Sequence, residues 1–181
     1  MDIITLFFTM AAVIAILALI YAYLYNRLQD FKLKIDEAES ILDEELRNKY
    51  DKVYELQTTV LKLSKVNEKE FQELDNIKKE DISNFELDRK VIEVYNKLET
   101  IINDYEKIET KKEVIELQNE IKKLDARIES AKLFYNKYIN ESNTMVRKFP
   151  SNIIAKIHKI QIKNFYDNKD LNDDTVKDFK L

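Results

Sequence analysis

The groups best suited to acid–base or metal chemistry in this chain are its carboxylates, and their spacing serves another purpose. Runs such as Asp43-Glu44-Glu45 and Glu68-Lys69-Glu70 fall at helical spacing among lysines. That is the pattern of a solvated helix face supported by pairs one turn apart. A carboxylate metal site inside a helical bundle needs Glu on the core seam, often as Glu-x-x-His. Glu45 approaches a seam, and no histidine follows it at that spacing. His158 is the single histidine, which argues against multi-histidine metal sites and a His-centred triad. The chain has no cysteine, hence no disulfide framework and no thiolate site. It has no glycine either, so GxxxxGK[ST], GxGxxG and GxSxG are all absent. The expectation is a chain that is not an enzyme and takes no cofactor and no metal.

The same missing residues describe the backbone. With no glycine and Pro150 as the lone proline, the chain lacks the punctuation of tight turns and hairpins. It is 45% hydrophobic and 35% charged, which fits a folded, all-α protein rather than a disordered one. The formal charge of -4 predicts no general attraction to nucleic acid, and Lys and Arg are dispersed among Glu and Asp without forming a basic stripe.

Residues 3–25, "IITLFFTMAAVIAILALIYAYLY", carry no charge. About 20 apolar residues suffice to cross a bilayer. Tyr21, Tyr23 and Tyr25 sit where an interfacial aromatic belt is expected. A cleaved signal peptide fits less well, since "MD" supplies no basic n-region and the apolar run exceeds the usual roughly 7 to 15 residues. No Lys or Arg precedes the run, whereas Arg27, Lys32 and Lys34 follow it. The positive-inside rule then places the N-terminus outside the cell membrane and the C-terminal domain in the cytoplasm.

Beyond the apolar run, Asn67-Glu-Lys-Glu70, Ser83-Asn-Phe-Glu86 and Thr110-Lys-Lys-Glu113 share the capping-box pattern. They predict helices over about 3–66, 68–79, 84–108 and 111–148. Apolar residues recur three and four apart along these helices. The last seam reads Val114, Leu117, Ile121, Leu124, Ile128, Ala131, Tyr135, Tyr138, Ser142, Met145 and Phe149. The preceding one reads Leu87, Val91, Val94, Leu98, Ile101, Tyr105 and Ile108. In the first helix, Leu28, Phe31, Ile35, Ala38 and Leu42 begin a seam that slips near residues 45–49 and resumes at Val53. A slip of this kind is either a stutter within one helix or a hairpin turn. At about 1.5 Å per residue, one helix over 26–66 spans roughly 60 Å and matches the roughly 57 Å of 111–148 as an antiparallel partner. A single long helix, stiffly continuous with the anchor, is therefore expected. The fourth helix returns toward the inner leaflet and stops at Phe149-Pro150, because the residue before proline is pushed out of the α region.

The segment after that proline, "SNIIAKIHKIQIKNFY", interleaves apolar and basic residues. Ile153, Ile154, Lys156, Ile157, Lys159, Ile160, Lys163 and Phe165 are the candidates for contact with a membrane surface. The competing expectation is a short helix folded back over the open end of the bundle. Residues 167–181 are acidic and poor in core residues, as in a mobile tail. The expected organisation is thus an anchor over 1–25, a cytoplasmic antiparallel bundle of three to four helices over 26–166, and a tail over 167–181.

Two stretches resemble the LemA family of bacterial membrane proteins. In "IDEAESILDEELRNKYD", residues 35–51, Glu37, Ala38, Ser40, Asp43, Leu46, Lys49, Tyr50 and Asp51 carry the likeness. In residues 126–156, Ala131, Lys132, Tyr135, Asn136, Phe149, Pro150, Ser151, Asn152 and Ala155 are similar to the family's run ending in Phe-Pro-Ser-Asn and Ala. The chain departs from the family at Glu39, Tyr54 and Lys62, where Trp, Pro and Gly are usual, and residues 66–84 form a short, unmatched middle. The resemblance implies a single-span protein with a cytoplasmic antiparallel bundle, and it supplies no catalytic residues to carry over.

Function then reads as a membrane-tethered adaptor or scaffold, with the lipid bilayer and an unidentified protein as partners. Tyr54, Phe71 and Phe134 are candidate contacts. The alternatives are a coiled-coil regulator of division or the envelope, for which internal repeats are missing, and a self-assembling membrane-surface protein. Homo-oligomers belong to the last reading, since a heptad seam satisfies itself within or between chains.

Overall fold

The computed structural model describes residues 2–63 and 82–166. The predicted helix 68–79, the capping box at Asn67, Phe71 and the tail 167–181 lie outside them. Among the described residues there are helices and no strands: α1 (Ile3–Leu63), α2 (Asn84–Asp104), α3 (Glu106–Glu109), α4 (Lys112–Arg147) and α5 (Ser151–Ile157). α1 is one helix of 61 residues. The slip at 45–49 is a stutter, not a hairpin: Ala38, Leu42, Leu46 and Tyr50 are all buried at successive four-residue steps. Lys49 fills the same stretch of core at 3% exposure.

The chain forms two compact units, Met1–Ala38 with Phe134–Phe165 and Glu39–Leu133 with Tyr166–Leu181. In the second unit, α1 and α4 run antiparallel. Their ion pairs show it: Glu45 with Arg127 at 3.7 Å, Lys49 with Asp125 at 2.6 Å and Lys52 with Glu120 at 2.9 Å, the α4 number falling as the α1 number rises. α2 and α4 are antiparallel as well, joined at one end through α3 and tied at the other by Asp88 and Lys132. The core between the three long helices holds Val53, Leu56, Val60, Val94, Leu98 and Ile121, each fully buried.

The capping box at Ser83 forms as the spacing predicts. The Glu86 N–H donates to Ser83 Oγ, and the Ser83 N–H donates to Glu86 Oε2 at 3.1 Å. The predicted helix 84–108 does not run through. It breaks at Tyr105, whose backbone turns to φ −123°, ψ 89°, and a one-turn helix follows. Tyr105 is accordingly exposed rather than a seam residue, while Ile102 and Ile108 are buried on either side of the break. The seam of α4 also moves: beyond Ala131 the buried positions are Lys132, Ile139 and Asn143 rather than Tyr135, Tyr138 and Ser142.

Lys132 and Asp88 make a buried ion pair, 7% and 4% exposed in their side chains, at 2.7 Å. Glu129 accepts from the same ammonium at 2.9 Å, and the Tyr166 ring lies 5.3 Å from it. Burial opposes the charge on Lys132, but the hydrogen bonds it donates to Asp88 and Glu129 prevail and raise its pKa above the ordinary 10.5. Burial also raises the Tyr95 and Tyr166 phenols above their ordinary 10.0. Raised folded-state values mean that the unfolded chain releases these protons first. Their contribution to stability is complete below about pH 9 and is lost as pH climbs past about 10. Denaturant unfolding of the full chain in detergent should give a constant midpoint from neutrality to about pH 9 and a falling one above about pH 10. In the same unfolding measurement Lys132→Met, which strands the buried Asp88 carboxylate, should cost about 3 kcal/mol. A loss under about 0.5 kcal/mol would show that the pair is not structural.

Candidate functional site

The first unit brings the start of α1 together with the end of α4 and everything after Pro150. Leu28, Ile154 and Ala155 form its small core, with Leu24, Tyr25, Met145, Val146 and Ile160 packed around them. The turn into α5 is built by Phe149-Pro150, a cis peptide, and by Ser151. The buried Ser151 hydroxyl lies 2.6 Å from the Met145 carbonyl and 2.8 Å from that of Lys148, so it closes the end of α4. α5 ends in a Schellman turn. The Lys159 N–H donates to Lys156 O and the Ile160 N–H to Ala155 O. Lys159 takes the left-handed position at φ 54°, where glycine is usual and this chain has none.

Past that turn the chain has no regular secondary structure. Asn143, buried on α4, holds it by both ends of its amide. Nδ2 donates to the Lys163 carbonyl at 2.7 Å, and Oδ1 accepts from the Lys163 N–H at 2.9 Å. The Lys163 ammonium faces Asp36 of α1 at 3.7 Å. His158 meets the end of the apolar run: its Nε2 is 2.6 Å from the Tyr21 hydroxyl, and its ring centroid is 4.4 Å from that of Tyr25. Arg27, the first charge after the run, donates to the Tyr23 hydroxyl at 3.3 Å and lies over the Phe31 ring. α1 is long and apolar enough to cross a membrane, and residues Ile3 to Tyr23 leave every side chain exposed. A single-pass anchor fits this helix.

The eight residues predicted to meet a membrane surface separate into two groups. Ile154 is in the core at 5% exposure and Ile160 packs against it, so neither offers a face to lipid. Ile153 and Ile157, one turn apart on α5, are 50% and 61% exposed. Lys156, Lys159 and Phe165 are exposed too, and Lys163 is half-exposed beside Asp36. The expectation of a short helix packed back on the bundle therefore describes one face of α5, and the other face is exposed. The sequence reading missed Phe149 as an exposed residue. It assigned Phe149 to the core, but the ring is 79% exposed because α4 ends at Arg147, before the seam reaches it. Of the other aromatic candidates, Tyr54 packs partly buried against the core and stacks with Tyr50. Phe134 is exposed and meets Tyr138 edge-on at 4.6 Å.

Half-buried Glu45 and buried Asp88 are both engaged in ion pairs. Glu45 faces Arg127 and Asp88 faces Lys132. The sequence profile of the LemA family matches residues 38–178. The chain belongs to the LemA family. No curated protein and no solved structure matches it. The LemA match makes sense of the two motif stretches in part, because several of their residues build the fold. Ala38, Leu46, Lys49 and Tyr50 are buried on α1, and Lys132 and Ala155 are buried on α4 and α5. Ser151 closes the turn. Phe149 is the motif residue whose ring serves no packing.

The Asn143 clamp yields a direct expectation. Asn143→Ala removes both hydrogen bonds to Lys163, and the Lys163 amide should then exchange with deuterium at least about tenfold faster, since each lost buried bond is worth roughly 1 kcal/mol. Amide exchange read by mass spectrometry on the full chain checks this, and an unchanged rate would mean that other contacts hold the segment.

Proposed function

We propose that this LemA protein is a membrane-tethered helical scaffold whose post-proline corner rests on the surface of the bilayer that α1 crosses. The observation that carries the reading is the contact of His158 with Tyr21 and Tyr25. Those tyrosines end the apolar stretch, where amphipathic rings settle at the headgroup level. His158 fixed against them brings α5 to the same depth. Phe149, Ile153 and Ile157 then present an exposed apolar edge, with Lys148 and Lys156 flanking it. Apolar residues that enter the interface beside lysines that meet anionic headgroups are the features of a surface-bound segment. The basic residues following the apolar run support a cytoplasmic bundle, with the N-terminus outside.

In this reading the bundle is not an enzyme. Its polar helix faces serve as docking surfaces for a protein partner, and proximity crosslinking in the native membrane should capture a small, repeatable set of neighbours. Recovery of only the chain itself and lipid would favour self-assembly instead.

The chain contains no tryptophan, so a single introduced indole is a clean reporter. With Ile157→Trp in the full chain, reconstituted in phosphatidylcholine vesicles, emission should shift to the blue and be quenched by lipids brominated near the headgroup. Emission typical of water, indifferent to brominated lipid, would overturn the surface-bound reading.

A further inference from the structure

The first unit also contains a groove of about 440 Å³, walled on one side by α1 and on the other by the chain that follows α5. Leu28 and Ile35 are its apolar floor, and Ser142 lines it from α4. Its polar walls are Gln29 and Lys32 from α1, and His158, Lys159, Gln161 and Lys163 from the post-proline segment. No carboxylate is among the lining residues, in a chain with 34 acidic and 30 basic side chains. Nearby Asp36 pairs with Lys163, at 3.7 Å. Lys32 and Lys159 are exposed lysines of the lining, and among the described residues no ion pair engages either.

We infer that this groove binds the phosphate of an anionic glycerophospholipid headgroup. The chemistry fits: ammonium groups supply charge to a phosphate, and Ser and Gln side chains supply donors that orient it. A volume of this size accommodates a small headgroup rather than a macromolecule. The walls are set before the ligand arrives. Asn143 clamps the Lys163 backbone through two hydrogen bonds, and the Schellman turn fixes Lys159. The position of the groove favours lipid over a free phosphate. His158 lines it and at the same time touches Tyr21 at the end of the apolar run. This inference rests on the surface-bound reading of α5, because that reading brings the groove to headgroup depth.

Lys159 provides a sharp test. Its left-handed backbone is one that glycine adopts without steric cost. Lys159→Gly should therefore keep or improve the fold while removing one cation from the groove. The full chain is reconstituted in phosphatidylcholine vesicles, with or without phosphatidylglycerol, and lysine acetylation rates are read by mass spectrometry. With phosphatidylglycerol, Lys32 and Lys159 should react about fivefold more slowly. Lys148 and Lys156, near the surface but outside the groove, should slow less, and Lys122 of the second unit should not change. In Lys159→Gly the protection of Lys32 should be lost. Equal slowing of Lys148, Lys156 and the groove lysines would mean general surface attraction and would overturn the inference. Protection by inorganic phosphate in phosphatidylcholine as strong as that by phosphatidylglycerol would overturn the lipid assignment. The Ile157→Trp reporter separates the two claims. Blue-shifted emission without groove protection refutes the headgroup site alone, whereas water-like emission refutes the surface-bound reading on which it rests.

Discussion

The structure depends on an uninterrupted backbone in α1. No glycine or proline occurs between Ile3 and Leu63, so nothing removes a main-chain hydrogen bond or lowers the cost of a bend. One helix therefore joins a stretch apolar enough to cross a membrane to a face that packs in a bundle. Its first six turns carry only apolar and uncharged side chains, as hydrocarbon demands. From Leu28 onward its buried face follows the spacing of a bundle. The change between the two regimes occurs within a turn or so, at Tyr25 and Arg27, with no loop to separate them.

Given that helix, polar side chains decide how the others pack on it. Hydrophobic seams tolerate sliding by a heptad; a buried ion pair does not, because a slip strands a charge in the core. Lys132 with Asp88 is such a pair, and the buried Lys49 ammonium is held in the same way by a partly exposed Asp125. Asn143 does for an irregular segment what the ion pairs do for helices, by giving a backbone N–H and C=O the partners that a strand would otherwise supply. Lys49 and Lys132 are the two of these residues that belong to the LemA-like stretches.

Much of this was legible in the sequence because it rests on local rules. An apolar run has to be helical in a bilayer, Ser83 and Glu86 cap each other, and a single proline ends a helix. The stutter at 45–49 was visible as a slip, and the length argument for a single helix agrees with α1. What was not legible follows from tertiary context. Lys49, Asp88 and Lys132 carry charge, so a hydrophobic pattern places them outside, and their partners lie far away in the chain. The break at Tyr105 has no glycine or proline to announce it. Phe149 continues a seam on paper, but α4 ends before it, and its ring turns outward. For α5 the alternation of Ile and Lys allowed either a packed or a free segment, and seven residues of helix present both faces.

As the proposed anchor, the unbroken helix α1 should leave the bilayer at Tyr21–Tyr25. A nitroxide scan over residues 17–35 of the full chain in lipid vesicles tests it most directly. Collisions with oxygen should dominate at Leu17–Ile20, give way to a water-soluble relaxer across Tyr21–Tyr25, and from Arg27 onward oscillate with a 3.6-residue period. Water-soluble relaxer reaching Leu17–Ile20 freely, or loss of the helical period between Tyr25 and Phe31, would contradict it.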